Sequence, residues 1–485
     1  MKKTITSFIG FWGLCGLLAA QTLSFLNAPD TVCYSREVTL LPREVRAVWL
    51  TTIGGLDWPG RPAQNAAGWQ RQRNDLCNQL DQLKAAGINT VIVQTRIRGT
   101  VIYPSALEPF DDCFTGQPDR QPDYDPLALC VEECHKRGLE CHAWVVCFPV
   151  GKFAQQKRYG KRAINVRRPD LVKRAAAEWI MDPAKPATAT YLADLCREIV
   201  EHYAVDGIQL DYIRYPEHEV GFPCRLSLAE KQANVTRCVR AVHDAVKSVR
   251  PWVKLSCSPV GKYADLPRQS SRGWNARDAV AQDAVKWLGE GLMDWLAPMM
   301  YFQGQNFYPF ACDWQERSNG HPIVPGLGIY FLSEKERDWP LSVISAEMGF
   351  LRRQGMGHAF FRTRFLLDDT KGLLRFTAAH NRQPALWPAM TWADSIAPPA
   401  PRSQIRREGY TLHVSWQAVA DDRPGTPVRY NVYRLPRQEG AAPVLLAQNL
   451  DHTQFSYTPA LPSLLYDTIV VTALDAYGNE STYNP

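Results

Sequence analysis

One phrase recurs along this chain and limits the folds open to it: an amphipathic helical stretch, a turn often carrying Gly, then a short apolar run. It closes "LKAAGINTVIVQT" at Thr95, "CHKRGLECHAWVV" at Val146, "HYAVDGIQLDYI" at Ile213 and "VRPWVKLSCSP" at Pro259. It returns in "GEGLMDWLAPMMYF", ending at Phe302, in "IVPGLGIYF", ending at Phe331, and in "RRQGMGHAFFR", ending at Arg362. The run "EVRAVWLTT", residues 44–52, precedes them all. Apolar runs separated by helices are strands of a parallel sheet covered on both faces. Eight of them predict an α/β chain whose residues 43–394 form a (β/α)8 TIM barrel with enlarged loops. A doubly wound open sheet competes, but no G-x-G-x-x-G follows the first run.

The texture changes at "SIAPPAPRS", residues 395–403, which reads as a Pro-rich linker. Beyond it, in residues 404–485, "YTLHVSWQAV", "VRYNVYRL" and "YDTIVVTALDAYGNES" alternate without helix signals. Short strands between turn residues predict a small all-β sandwich. Trp416 and "RYNVYR" resemble the core of a fibronectin type III domain, and Tyr466 stands where that fold often has a corner tyrosine. A spacer or a docking surface for the cell envelope is the expected role.

Lys2, Lys3 and the apolar "ITSFIGFWGLCGLLAA" read as a signal peptide, residues 1–20, followed by a lead segment, 21–42. An exported protein, periplasmic or secreted, is expected. Cys15 invites a lipoprotein reading, but Leu14 before it is large for that chemistry. The run is shorter than the roughly 20 apolar residues of a span. Without the leader, 53 basic residues face 49 acidic ones, a mild and scattered excess that does not suit nucleic acid. Cys130, Cys134 and Cys196 fall on apolar helical stripes and Cys141, Cys147 and Cys257 lie in or beside strand runs, as small buried hydrophobes do. Disulfides are open only among Cys33, Cys113, Cys224 and Cys312. No C-x-x-C pair exists, and neither a metal nor an organic cofactor is implied.

The loops after the strands form the active face of such a barrel. The ends of the eight runs supply Trp49, Asp57 and Trp58; Gln94, Arg96, Arg98 and Glu108; His142, Trp144 and Lys152; Gln209, Asp211, Arg214 and Tyr215; Ser256, Ser258 and Lys262; Tyr301 and Gln303; Tyr330; and His358, Arg362 and Arg364. The set is aromatic, amide-rich and basic, which suits hydroxyl-rich rings. Carboxylates are few. In "VDGIQLDYIRYP", period two puts Gln209 and Asp211 on one face, with Asp211 at the strand's upper rim. A buried carboxylate needs a compensating partner, and Arg96 or Arg214 could supply it. Bland readings stand beside these: Asp211 as a rim salt-bridge partner, His142 as a core histidine, Trp49 and Trp144 as core, and Arg96 and Arg98 on a solvated face. Trp58 reads as an exposed loop residue and Asp206, at the strand's start, as structural.

The segments "EVRAVWLTTIGGLDWP", "GINTVIVQTRIRGTVIYPSALEPF", "YDPLALCVEECHKRGLECHAWVV", "VDGIQLDYIRYP" and "MDWLAPMMYF" together resemble the glycosyl-hydrolase-like family 10 proteins, from about residue 43 to 392 and in the same order. The resemblance implies a (β/α)8 barrel, export and hydrolysis of glycan chains; some members act on peptidoglycan strands stripped of peptides. The family's D-G-I-x-x-D strand maps onto Asp206, Gly207, Ile208 and Asp211, and "RAVWL" and "HAW" map onto residues 46–50 and 142–144 as cleft-lining elements. Three departures remove acidic or amide groups: Gly99-Thr100 replaces a Gly-Asp pair, "VVCFPVGKF" an Asn-Pro-Tyr run, and a single "DY" a "DDY".

Glycoside hydrolysis ordinarily takes two carboxylates. Asp211 is the expected acid/base. Glu108 is taken as the second, with Asp57 and then Asp265 behind it. A substrate acetamido group acting as nucleophile would also account for few acids. The expected partner is a polysaccharide or oligosaccharide. Two rivals remain, a catalytically inactive glycan-binding barrel with a docking module and a structural exported protein.

Overall fold

The computed structural model describes residues 41–216, 224–437 and 441–483, so the leader and Cys33 lie outside the described residues. Eight parallel strands form the central sheet: β1 Arg46–Leu50, β2 Thr90–Arg96, β3 Glu140–Val146, β4 Gly207–Asp211, β5 Lys254–Cys257, β6 Trp295–Leu296, β7 Gly326–Leu327 and β8 His358–Phe360. Ladders run from β7 through β8, β1, β2, β3, β4 and β5 to β6. Val324 N and Gly326 N then donate to Leu296 O and Pro298 O, closing the ring between β6 and β7. This is the TIM barrel expected from the eight apolar runs.

The longer helices are α1 Ala66–Ala85, α2 Pro126–Lys136, α3 Pro186–His202, α4 Leu228–Val249, α5 Ala284–Gly289, α6 Tyr308–Glu316, α7 Leu341–Arg353 and α8 Leu373–His380. Local chemistry marks several starts. Asn65 caps α1 through Gly68 N, Asp125 caps α2 ahead of Pro126, and Ser227 with Glu230 forms a capping box on α4. Apolar stripes such as Leu76, Leu80 and Leu83 on α1 pack onto the sheet's outer face.

A smaller cluster fills the barrel itself: Ala47 and Trp49, Ile92, Trp144 and Val146, Trp295, Val324 and Ala359. Two glycines make room for it. A Cβ on Gly326 would stand 3.1 Å from the Trp49 ring, and one on Gly207 only 2.4 Å from His142 Nδ1. The Gly207 of the "DGI" phrase is therefore a packing requirement. At the N-terminal end Trp387 stacks on His142 at 5.8 Å, donates to Thr90 Oγ1 and lies 4.8 Å under Lys254 Nζ, stopping the barrel from below.

After β3 the chain makes a small antiparallel sheet of Pro149–Lys152, Val172–Ala175 and Glu178–Met181. It stands beside the C-terminal ends of β2 and β3: a Cβ on Gly99 would touch Val150, and one on Gly151 would lie 3.5 Å from Arg98 Cβ.

The C-terminal part holds two three-stranded antiparallel sheets over a core that includes Trp416, Tyr430, Val432 and Val471. Tyr466 is 58% exposed beneath the Arg437 guanidinium instead of tucked into a corner. The sandwich rests on the barrel's N-terminal face. Arg43 donates to Trp387 O, Gly478 O and Glu480, Met390 N donates to Tyr477 O, and Asn479 Nδ2 to Asp394 O. Leu41 and Leu386 share a buried cluster with Tyr433 and Val470 of the sandwich. Pro398 and Pro401 are buried, so the Pro-rich stretch is tied down. A cleft of about 700 Å³ between the two parts, lined by His135, Trp252 and Arg429 among others, lies at the pole opposite Asp211.

All described cysteines are free thiols, including Cys113, Cys224 and Cys312, and no disulfide joins them. Among the described residues no helix is long and apolar enough to cross a membrane.

Candidate active site

Asp211 is the last residue of β4, 5% exposed, on the barrel's inner side at its C-terminal mouth. Trp144 Nε1, from the neighbouring β3, donates to its Oδ2 at 3.0 Å, and Tyr212 N donates to Oδ1 at 2.8 Å. Tyr212 adopts the left-handed conformation, φ +50°, a costly one for a tyrosine, and stays 38% exposed. The Arg214 guanidinium lies 4.8 Å over its ring. Burial pushes the Asp211 carboxyl up to about 6; the Arg214 charge, the two hydrogen bonds and the Arg98 charge hold it from rising further. Tyr301, half-buried on the loop after β6, has its phenol pushed up by burial and by the charge of Asp211.

Phe361, just past β8, unites the floor. Its ring stacks on Tyr301 at 5.5 Å and meets Trp49 at 6.1 Å, Trp144 at 6.4 Å and Tyr330 at 6.0 Å edge-on. Period-two alternation from Ala359 would have found it. Beneath, Trp49 Nε1 donates to Gln209 Oε1 at 2.6 Å, so Trp49 and Gln209 support the floor from inside the barrel. An acid among aromatic rings, with one exposed tyrosine at the lip, can hold a proton in mildly acidic solution, and the rings can bind the flat face of a sugar.

Other predicted site residues are placed elsewhere. Glu108 is fully buried in a bidentate pair with Arg96: Nε donates to both oxygens at 3.0 and 2.8 Å, and Nη2 to Oε1 at 2.6 Å. Arg96 also donates to the Val146 and Cys147 carbonyls at the end of β3. Glu108 therefore cannot serve as the second acid, and Arg96 does not compensate Asp211; Arg214 does. Asp57 accepts from Thr51 N and Arg364 N and pairs with Arg362, fastening the loop after β1 to that after β8. Burial raises its carboxyl despite Arg362. Gln94 accepts from Thr52 N and Ile53 N at 3.0 and 2.9 Å, a turn clasp.

Trp58 is wholly buried, not exposed: its ring packs on Phe114 at 4.8 Å and its Nε1 donates to Gln72 O. His142 sits near the start of β3, at the closed pole, where Nε2 meets Glu140 at 2.9 Å. His142 is thus two residues below Trp144 on β3, at the foot of the strand and away from the mouth. Tyr215 is buried and accepts from Asn234 Nδ2 on α4. Gln303 is exposed on the rim. Sequence reasoning passed over Glu178, on the inserted sheet, whose short strands carry no long apolar run. It pairs with Arg98 at 3.5 Å.

Among the described residues one carboxylate group has metal-like spacing, Asp394, Asp421 and Asp422; it lies beside the sandwich, and Arg423 Nε already pairs with Asp394 at 2.8 Å.

A family model described as Glycosyl hydrolase-like 10 matches residues 44–228 and 224–327. The chain belongs to the glycosyl hydrolase-like 10 family. Asp211 and its tryptophan and arginine partners all lie inside the matched span. Across 475 residues this glycosyl hydrolase-like 10 chain is 26% identical to Glycosyl hydrolase YngK of Bacillus subtilis (strain 168), covering 90% of this chain and 92% of that one. It is 27% identical over 345 residues to Glycosyl hydrolase DigH of Escherichia coli (strain K12), covering 64% and 79%. Among solved structures, alpha-L-fucosidase isoenzyme 2 from Paenibacillus thiaminolyticus aligns with a TM-score of 0.46 at 14% identity, over 70% of this chain and 49% of that one.

Proposed function

We propose that this chain is an exported glycoside hydrolase that cleaves a polysaccharide, an amino-sugar glycan of the peptidoglycan type, with Asp211 as the acid. One observation carries the reading: a carboxyl raised to about 6 at the end of β4, set in an aromatic cup. A protonated Asp211 would give its proton to the glycosidic oxygen as the bond to the anomeric carbon breaks. Tyr212 and Tyr301 offer ring faces to the sugars. Family membership and the relatives' names as glycosyl hydrolases support the reaction class. The charged, apolar start of the sequence supports export. The C-terminal sandwich, read as fibronectin type III-like, would serve as the envelope-facing module.

The test is incubation with peptide-free peptidoglycan strands and a panel of neutral polysaccharides, read by mass spectrometry. Wild-type protein should release sugars from the amino-sugar strands, and Asp211→Asn should lower the rate by at least ~10²-fold. Unchanged cleavage by the variant would remove Asp211 from the chemistry.

A second reading, a barrel that binds glycans without cutting them, draws support from the locking of Glu108 and Asp57 in ion pairs. Tight oligosaccharide binding with no product after long incubation would decide for it.

A further inference from the structure

Glycosidic hydrolysis needs something to activate or replace the attacking water, and the acids expected for that task are occupied. Glu108 and Asp57 are locked in buried pairs, and Asp265 accepts from Gly273 N and Asn275 Nδ2. Glu178 differs from these. Its side chain is 32% exposed and its contact with Arg98 is long, 3.5 Å from Nη1. The strand that carries it pairs with the one rising from β3, and Met181 N, three residues on, donates to Phe148 O. Cys147, next to that oxygen, is itself bonded to Asp211: its N donates to the Asp211 carbonyl at 2.8 Å. The inserted sheet is therefore tied at its Met181 end to the Asp211 corner of the mouth, with Glu178 three residues farther along, opposite Lys152.

Arg98 links the two acids. Its head pairs with Glu178, and its charge is among those that hold the Asp211 carboxyl down, yet it closes no ion pair on Asp211 itself. Arg98 thus bears on both acids, pairing with Glu178 and acting on Asp211 through its charge alone. An inverting hydrolase keeps its two carboxyls far enough apart to admit a water.

We propose that Glu178 is the second carboxylate of the hydrolysis, the base that deprotonates the attacking water. The assignment rests on the reading of Asp211 as the acid. In the step, Asp211 gives its proton to the glycosidic oxygen, and the bond from that oxygen to the anomeric carbon breaks with its electron pair on the leaving sugar. Water attacks from the opposite face, its oxygen bonds to the anomeric carbon, and its proton passes to Glu178. One water is consumed and the anomeric configuration inverts. Glu178 then returns its proton to solvent while Asp211 regains one.

The test uses the full chain on peptide-free peptidoglycan strands, with Glu178→Gln, Glu178→Ala and Asp211→Asn compared. Glu178→Gln should lower kcat by at least ~10²-fold with KM changed less than about threefold. Sodium azide should restore turnover to Glu178→Ala and yield a glycosyl azide of inverted configuration, which a purely structural role would not produce. Proton NMR of the wild-type reaction should show the inverted anomer first. If Asp211→Asn is inactive while both Glu178 variants keep wild-type kcat, the Glu178 assignment falls and the hydrolase reading stands. A retained anomer also overturns it. If wild-type protein cleaves nothing in the panel, the hydrolase reading fails and takes Glu178 with it.

Discussion

Asp211 holds its proton up to about pH 6 in the folded chain, against 3.8 for an aspartate in water. The sign of the consequence follows from linkage. Between those values the folded chain keeps a proton that the unfolded chain has released. The penalty is absent below pH 3.8 and complete above about pH 6, where it reaches roughly 3 kcal/mol. Asp211→Asn should therefore raise the urea midpoint at pH 7 and leave it near wild type at pH 3.5. An equal effect at both pH values would contradict a raised carboxyl. The same residue shows how far a site can be read from sequence. Its place on the rim followed from period two and Arg214 was one of two expected partners, whereas its hydrogen-bond donors had no signal. Trp144 Nε1 and the left-handed Tyr212 are local geometry that no spacing announces. Arg96 looked as available as Arg214, and only three-dimensional packing commits it to Glu108.

Among the elements, α7 carries an unusual cost. Glu347 lies on its inner face, 1% exposed, with neither carboxylate oxygen hydrogen-bonded to the protein, and burial pushes its carboxyl up to about 9. Its folded value exceeds the ordinary 4.5, so stability should fall as pH rises from 4.5 toward 9. Glu347→Leu should gain on the order of 2–3 kcal/mol at pH 7.5 by chemical denaturation, and little at pH 4. A loss at pH 7.5 would mean that the carboxyl has a partner. The strands themselves were legible because eight apolar runs repeat with one rhythm. The last runs overstate their length: β6 and β7 have two residues each, and Tyr330 falls in a 3-10 turn rather than on β7. The inserted sheet was invisible for the opposite reason. Its strands are four residues long and half polar, too short for periodicity to register.

In the whole molecule the two parts are fastened together. Glu480 alone accepts from Arg43 on the barrel side and from Asn431, Tyr433 and Thr472 within the sandwich. With the apolar cluster of Leu41, Leu386, Tyr433 and Val470, this couples their unfolding. Calorimetry of the intact chain should give one transition, and a chain ending at residue 402 should melt lower, because Leu386 and Trp387 lose their cover. Two well-separated transitions would show that the parts fold independently. The arrangement also gives the molecule a polarity. One end of the ring is corked by Trp387 and capped by the appended module, so traffic in and out uses only the rim where the inserted sheet overhangs. A partner bound on the far side of that module would therefore leave the open rim unobstructed and facing the other way.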